Sequence, residues 1–341
     1  MTLNTNPILQ IHPTRRCNLR CLHCYSASSP NEKDQLDVAL LRQAITDASM
    51  EGYKTVSFSG GEPILYQPLL ELLNHAHQCK MNTAIASNGM LINEQTIEKF
   101  KGVLDILAIS LDGMPDFHNQ MRGNKQAFEM MNGRLEGIRQ SGIPFGFIFT
   151  ISHENFRHLD WVANFALEQG ASLLQIHPLE AVGRAKQNLA GMTPSASISA
   201  YVYLEVMKLR KKLGDQLYVQ IDLVHQEALR LNPSSFFVDS ISKDQDDFSL
   251  AEIVSPLIIE ADGMLIPVQH GFARKYALGN LKEASLTELA HQWYREKSSD
   301  FIKLCQQVYE KETIPTEFPV INWHEAMVRH AEKFDIPVLA S

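Results

Sequence analysis

The stretch Pro7-Ile8-Leu9-Gln10-Ile11-His12-Pro13-Thr14-Arg15-Arg16-Cys17-Asn18-Leu19-Arg20-Cys21-Leu22-His23-Cys24-Tyr25 decides how the rest of the chain is read. It opens with a short apolar run, Pro7–His12, of the length of a buried strand, and passes directly into a loop with three cysteines in eight residues. The chain holds five cysteines, Cys17, Cys21, Cys24, Cys79 and Cys305, an odd number with three clustered. That is not the pattern of a disulfide framework, and clustered thiols in a reducing compartment point to metal or redox chemistry. Three thiolates in one loop suit three irons of a [4Fe–4S] cluster and leave the fourth iron open to a small chelating molecule. The alternative is a zinc ion completed by His12 or His23, because zinc accepts many Cys and His spacings.

Beyond this stretch, five more short apolar runs follow: Thr55–Phe58, Asn82–Ala86, Leu104–Ser110, Phe145–Thr150 and Ser172–His177. Their Ile, Val, Phe and Leu content fits buried parallel strands. Amphipathic stretches separate them: Asp37–Met50 with Asp37 as the cap, Leu69–Gln78, Glu94–Lys101, Phe128–Gln140 and Leu159–Gln169. Gly52, Gly102, Gly142 and Gly170 each stand where a left-handed helix end is expected. Six strand-then-helix units imply a parallel sheet with right-handed crossovers, short of the eight of a closed barrel. The fold class read from this is α/β, a partial (βα)6 TIM-like barrel over residues 1–215. A smaller α+β lobe over residues 216–341 follows. It comprises a strand at Leu217–Asp222 and an acidic, loop-like stretch at Pro233–Asp247. A hairpin at Leu257–Glu260 and Met264–Val268 comes next, then helices at Leu286–Lys297 and Trp323–Phe334. A long helix, Ser195–Leu213, joins the two parts.

Composition bounds the partners. The 341 residues include 45% hydrophobic and 21% charged residues, which excludes a disordered chain. Lys plus Arg number 31 against 39 Asp plus Glu, a net charge of −8. This argues against a general nucleic-acid or anionic-membrane binder, and a polypeptide or small-molecule partner fits better. No apolar run approaches the roughly 18 residues that would span a bilayer. Met1–Pro7 lacks the regions of a signal peptide, so the expected location is the cytoplasm.

The spacing Cys17-x3-Cys21-x2-Cys24 after the first strand resembles the signature of radical SAM enzymes, and other motifs agree. Gly60-Gly61-Glu62-Pro63, after the second strand, is similar to the family's GGE motif, which binds the amino group of S-adenosylmethionine. Ser87-Asn88-Gly89 ends the third strand, where Ser87 and Asn88 are within reach of a ribose or the SAM carboxylate. Ser110-Leu111-Asp112-Gly113, then His118 and Arg122-Gly123, resembles the SxDG…H…RG segment of peptide-modifying members. That resemblance implies that Ser110 contacts the SAM ribose and Arg122 its carboxylate. Asn119 stands where an Asp usually follows the His. Tyr25, beside the cysteine loop, joins the cofactor-binding set. Asp112, His118, His177 and Cys305 are the candidates for catalysis, and Glu180 and Arg184 stand at the end of the sixth strand. Cys79 reads as a buried small apolar residue.

The C-terminal stretch Ile258–Leu289 looks like the start of a SPASM domain, but Val268 follows Pro267 where that domain has a cysteine. Cys305 alone cannot hold a second cubane. The lobe is therefore expected to be degenerate, with no auxiliary cluster. What the resemblance implies is one [4Fe–4S] cluster held by Cys17, Cys21 and Cys24, SAM as co-substrate, and a 5′-deoxyadenosyl radical that abstracts hydrogen from a ribosomally made precursor peptide. Backbone excision of the splicease type or epimerisation is favoured over cross-linking. With the first strand beginning near residue 7, leader recognition is expected to fall to a separate small partner protein, and the electron to come from a flavodoxin- or ferredoxin-type donor. The alternatives are a tetrapyrrole-modifying or other small-molecule radical SAM enzyme, and a zinc-stabilised binding module.

Overall fold

Ile8–Ile11 (β1) alternates as a half-buried strand should, with Leu9 and Ile11 fully enclosed. It lies inside the sheet, bonded on both edges. The computed structural model describes residues 6–238 and 249–333. Among these, ten strands form one sheet. In chain order they are β1, Thr55–Phe58 (β2), Asn82–Ser87 (β3), Ile106–Ser110 (β4), Phe145–Ile151 (β5), Leu173–Pro178 (β6) and Tyr218–Ile221 (β7). Val224–His225 (β8) pairs outside this sheet. Leu257–Ile259 (β9), Met264–Pro267 (β10) and Gly279–Asn280 (β11) complete it, and Val320–Ile321 (β12) is the antiparallel partner of β8.

The order is β11-β10-β9-β1-β2-β3-β4-β5-β6-β7, and β1 to β7 are parallel neighbours in sequence order. A sheet that advances one strand at a time through helical crossovers winds in a single direction. Its C-terminal strand ends therefore gather on one rim. β7 and β11 are the free ends of the sheet, so the barrel is open.

The first crossover helix, Val38–Met50, begins where Asp37 accepts the amides of Ala39 (2.9 Å) and Leu40 (3.1 Å). Gly52, Gly102, Gly142 and Gly170 all have positive φ, as expected. Two local expectations change. The single helix expected over Phe128–Gln140 is two, Ala127–Asn132 and Leu135–Ser141, broken at Gly133, whose missing side chain weakens the helix there. The strand expected at Leu217–Asp222 forms as β7 and extends the barrel sheet as a seventh parallel strand, with Ala196–Leu213 as its crossover helix. Of the acidic stretch 233–247, residues 239–247 lie outside the described residues, as does Phe334.

The hairpin forms as β9 and β10, turning through Gly263 at φ +92°. β9 lies parallel to β1, with Leu9 opposite Leu257 and Ile11 opposite Ile259. One apolar core thus runs from Leu9 to Ala331 through both halves of the chain. Buried polar bonds fasten the halves. Tyr53 OH donates to Val254 O (2.7 Å), and Leu286 N–H donates to Asp47 Oδ2 (3.1 Å). No helix among the described residues is long and apolar enough to cross a membrane.

Tyr53→Phe removes the hydroxyl and leaves the buried Val254 carbonyl without it. The expected cost is about 1–3 kcal/mol of unfolding free energy, read from the urea midpoint at unchanged slope. A midpoint equal to that of the parent would show that the two halves do not depend on this bond.

Candidate active site

The cysteine loop leaves β1 at the rim and is gripped from two sides. On one side, Gly61 N–H donates to Thr14 O and Glu62 N–H to Arg16 O, both at 2.9 Å. A Cβ on Gly61 would sit 2.2 Å from Arg16 O, so only glycine lets the two backbones approach this closely. On the other side, the turn after β6 delivers Arg184. Its Nε donates to Cys21 O (2.9 Å), its Nη2 to Ser28 O (2.7 Å), and its backbone N–H to Cys24 O (3.0 Å). Gly183 has φ +53°, and a Cβ there would lie 2.2 Å from Tyr25 O. The guanidinium of Arg184 is used on loop carbonyls and holds the cysteine loop in shape.

The three thiols share this loop at an electrostatic cost. Burial pushes the Cys17 thiol up to about 12. The Leu19 N–H, 3.4 Å from its sulfur, works the other way, while Glu62, Cys21 and Cys24 add to the rise. Burial also raises the Cys21 thiol, opposed by Arg122, whose Nη1 lies 3.9 Å from the sulfur. Cys24 Sγ lies 3.4 Å from Ser26 Oγ. Thiols that disfavour one another's ionisation become thiolates readily only beside a metal. Two imidazole atoms, His12 Nδ1 and His23 Nδ1, are buried without a hydrogen-bond partner near the same loop. This donor chemistry fits an iron–sulfur group held by Cys17, Cys21 and Cys24. Among the described residues no three His, Cys, Asp or Glu side chains form a set that closes on a single metal ion. A cubane does not require one, since its thiolates sit on separate irons. His23 turns its Nε2 toward Asp112 Oδ1 (3.5 Å), and burial drops its pKa to about 4 against the pull of Asp112.

The other motif residues form two groups. In the first, Glu62 is a buried splint. Its Oε1 accepts from Ser87 Oγ (2.8 Å) and Ile64 N–H (3.3 Å), and its Oε2 from Asn88 N–H (3.0 Å). Asn88 Nδ2 donates to Asn18 Oδ1 in the cysteine loop (2.8 Å). Glu62, Ser87 and Asn88 are thus brought together with the loop, and Ser110 ends β4, half-buried, opposite Ile148. In the second group, Arg122 closes on Asp112 in a fork, Nε to Oδ2 at 2.6 Å and Nη2 to Oδ1 at 3.0 Å. Burial works against the charge on Asp112, but Arg122, His23 and His118 outweigh it and hold the carboxyl below its ordinary range. His118 Nδ1 accepts the Asp112 N–H (3.1 Å), and burial drops the ring to about 4, so it is neutral. Asp112 and His118 are 0% and 1% exposed, so neither offers an atom to a substrate from this position.

Tyr25 OH is bonded to Ser59 Oγ (2.9 Å) and lies 3.3 Å from His12 Nε2. Against these rings packs His270 from the loop after β10, 5.1 Å from the His12 ring and 5.4 Å from that of Tyr25. His270 Nδ1 is 3.0 Å from Glu260, which also pairs with Arg274. From the same loop, Gln269 Nε2 donates to Glu180 Oε2 (2.7 Å), and Asn322 Nδ2 donates to Glu180 Oε1 (3.1 Å). The opening of the barrel is therefore bridged at the rim, between the loop after β6 and the loop after β10. His177, near the end of β6, meets Asp222 at the end of β7. Cys305 lies apart from the rim on the helix Ser298–Glu312, 3% exposed, and burial raises its thiol. Sequence reasoning had not picked out Asp222, Glu260 or His270. Their signal is position, since Asp222 and Glu260 each directly follow a strand.

Residues 11–166 match the family model described as Radical SAM superfamily, and the chain carries a radical SAM domain. The cofactors of that domain are a [4Fe–4S] cluster and S-adenosylmethionine. Fe-coproporphyrin III synthase of Methanosarcina barkeri is 27% identical over 296 residues, 83% of this chain and 73% of that one. Sporulation killing factor maturation protein SkfB of Bacillus subtilis is 25% identical over 277 residues, 81% of this chain and 62% of its own length. Among solved structures, Streptococcus suis SuiB bound to its precursor peptide SuiA superimposes with a TM-score of 0.65 at 15% identity. That match covers 87% of this chain and 67% of SuiB, and it shows the shared fold.

Gly61→Ala is expected to force the turn of β2 off the cysteine loop. Iron bound after anaerobic reconstitution should fall from about four per chain to below one. Retention of full iron content would show that the loop does not need this approach.

Glu260 gives a pH prediction. Burial raises its carboxyl, but His270, the Gly271 N–H and Arg274 outweigh it and hold the group near 2 instead of 4.5. The folded state prefers the charged form, so its contribution is complete above pH 4.5 and is lost as the pH falls toward 2. Glu260→Gln should remove acid sensitivity on the order of 3 kcal/mol in that window, measured as melting temperature against pH. Parallel curves for variant and parent would refute it.

Proposed function

We propose that this radical SAM enzyme abstracts a hydrogen atom from a ribosomally made precursor peptide and modifies it, by backbone excision or epimerisation in preference to cross-linking. The bound cluster and SAM supply a 5′-deoxyadenosyl radical. The residues of this chain hold and orient those groups and keep water from them. In this reading Cys17, Cys21 and Cys24 bind the cluster. Gly60, Gly61, Glu62, Ser87, Asn88, Ser110, Arg122 and Tyr25 form the SAM side of the site.

The observation that carries the choice of a peptide is the charge of the rim. Asp222, Glu180 and Glu260 stand at the ends of β7, β6 and β9, and three arginines of this rim are committed. Arg122 is held by Asp112, Arg274 by Glu260 and Asp262, and Arg184 by loop carbonyls. A propionate-bearing porphyrin would need unpaired cations to replace its water. A neutral or basic peptide segment does not. The similarity to SkfB, a sporulation killing factor maturation protein, agrees with this reading. All five cysteines are free, and those outside the loop lie on separate elements, Cys79 at the C-terminal cap of Leu69–Gln78 and Cys305 within Ser298–Glu312, which supports a reaction that does not pass electrons to a second cluster. A separate leader-binding protein and a flavodoxin- or ferredoxin-type electron donor belong to the same proposal.

The second reading, a tetrapyrrole substrate, is favoured by the coproporphyrin synthase match over 83% of this chain. One experiment separates the two. The chain is reconstituted with iron and sulfide without oxygen and given SAM and dithionite, and 5′-deoxyadenosine is measured alone, with a short peptide encoded beside the chain, and with iron coproporphyrin III. The peptide is expected to raise the rate at least tenfold and to change mass. Cys21→Ala is expected to abolish 5′-deoxyadenosine formation. Stimulation by the porphyrin alone would transfer the assignment to tetrapyrroles. Tight binding of the leader to this chain unaided would remove the separate partner.

A further inference from the structure

β6 and β7 run parallel with Ile176 opposite Ile221, so His177 and Asp222 are the next residues along the rim. His177 Nδ1 bonds to Asp222 Oδ2. That bond commits Nδ1 and leaves Nε2 as the nitrogen open to proton exchange, with no partner among the described residues. The pair is not sealed in the core, since 35% of the His177 side chain and 25% of that of Asp222 remain accessible. This differs from Asp112 and His118, which are closed off completely.

The surroundings are acidic. Glu180 follows β6 and is held by Gln269 and Asn322. His324, on the helix Trp323–Lys333, interacts with both members of the pair. Burial works against a charged His177, but Asp222 and Glu180 outweigh it and raise its pKa above the ordinary 6.5. Burial also works against Asp222, and His177 holds that carboxyl below its ordinary value. His324 is lowered by burial and stays neutral at pH 7, while Glu180 is raised by burial, with Glu325 adding to the rise. An anion-binding role does not suit a cation already neutralised by Asp222 with a further carboxylate at hand. Proton exchange does.

We propose that His177 exchanges a proton with the substrate through Nε2, and that Asp222 is the positioning residue that fixes its tautomer. The inference rests on the reading of the chain as an enzyme that modifies a bound substrate at this rim. In the forward sense, the N–H bond at Nε2 breaks and an electron pair of a substrate oxygen or nitrogen takes the proton. Neutral imidazole remains with its Nδ1–H on Asp222, water at the rim returns the proton, and no electron passes through the ring. This acid–base step is separate from hydrogen-atom abstraction and occurs at the ends of β6 and β7.

The test uses full-length reconstituted protein and whichever probe accelerates 5′-deoxyadenosine formation, the neighbouring-encoded peptide or iron coproporphyrin III. The readout is modified product per 5′-deoxyadenosine, which normalises for radical generation. His177→Gln is expected to lower that ratio at least tenfold, the low side of acid–base contributions. Asp222→Asn is expected to move the pH profile of the ratio down by about one unit, as the imidazolium loses its partner. A ratio within twofold of the parent in His177→Gln, or an unmoved profile in Asp222→Asn, overturns the proposal. Should neither probe accelerate the reaction, the substrate reading has failed and the pair is judged by histidine NMR titration. His177 titrating above 6.5 in the parent and at or below it in Asp222→Asn supports the pair. Ordinary titration in both proteins overturns it.

Discussion

A loop that must bring three thiols together cannot pack itself. Its apolar content is small, its ligands repel one another when ionised, and its backbone groups need partners that the loop lacks. The structure meets this constraint from outside. The amides of Gly61 and Glu62 pair with Thr14 and Arg16 on one flank, and Arg184 reaches Cys21, Cys24 and Ser28 carbonyls on the other. Those partners stand at the ends of β2 and β6, four strands apart, so they are in place only when the whole parallel sheet has curved. The geometry of the cysteine loop therefore depends on barrel curvature, and a substitution in either gripping turn is felt at the thiols.

The acidic pairs around the rim fall into two kinds. Asp112–Arg122–His118 is closed and serves as bracing, with every charge answered by a neighbour at hydrogen-bond distance. Glu260–His270–Arg274 and His177–Asp222 are closer to solvent and stand on opposite sides of the opening. Low dielectric strengthens both kinds, but His177–Asp222, partly accessible, is the pair placed to change protonation in response to what enters. The contact of Glu180 with Gln269 and Asn322 joins the two halves at this level.

Much of this was legible in the chain. The strands were found because buried parallel strands are short apolar runs, and the cysteine loop and GGE turn because their spacing is local. What escaped was non-local or lacked punctuation. No local pattern reveals that β9 pairs with β1, because register between such distant segments is set by the closed core. Asp222 was read as part of a separate lobe, which hid its alignment with His177. The helix Ser298–Glu312 follows Leu286–Glu296 with no Gly or Pro between and no side-chain cap, so Phe301, Leu304, Cys305 and Val308 passed unnoticed as its buried face. The helix Pro115–Arg122 carried a usable sign, Pro115 in its first turn, that was outweighed by its polar composition. Arg122 illustrates the limit of motif transfer. Its position followed from resemblance, but its fork on Asp112 did not.

The pairing of β1 with β9 also sets an order in time. Leu9 meets Leu257 across 248 intervening steps of chain. At about 5–20 residues per second on the ribosome, the first strand waits roughly 12–50 s for its second neighbour. Through that interval its outer edge and the thiol loop that follows it stand bare, an edge of the kind that recruits foreign strands. Loading of iron before release would then act on a half-built barrel. The nascent chain is thus most dependent on cellular helpers at its amino-terminal end, long before the last helix emerges.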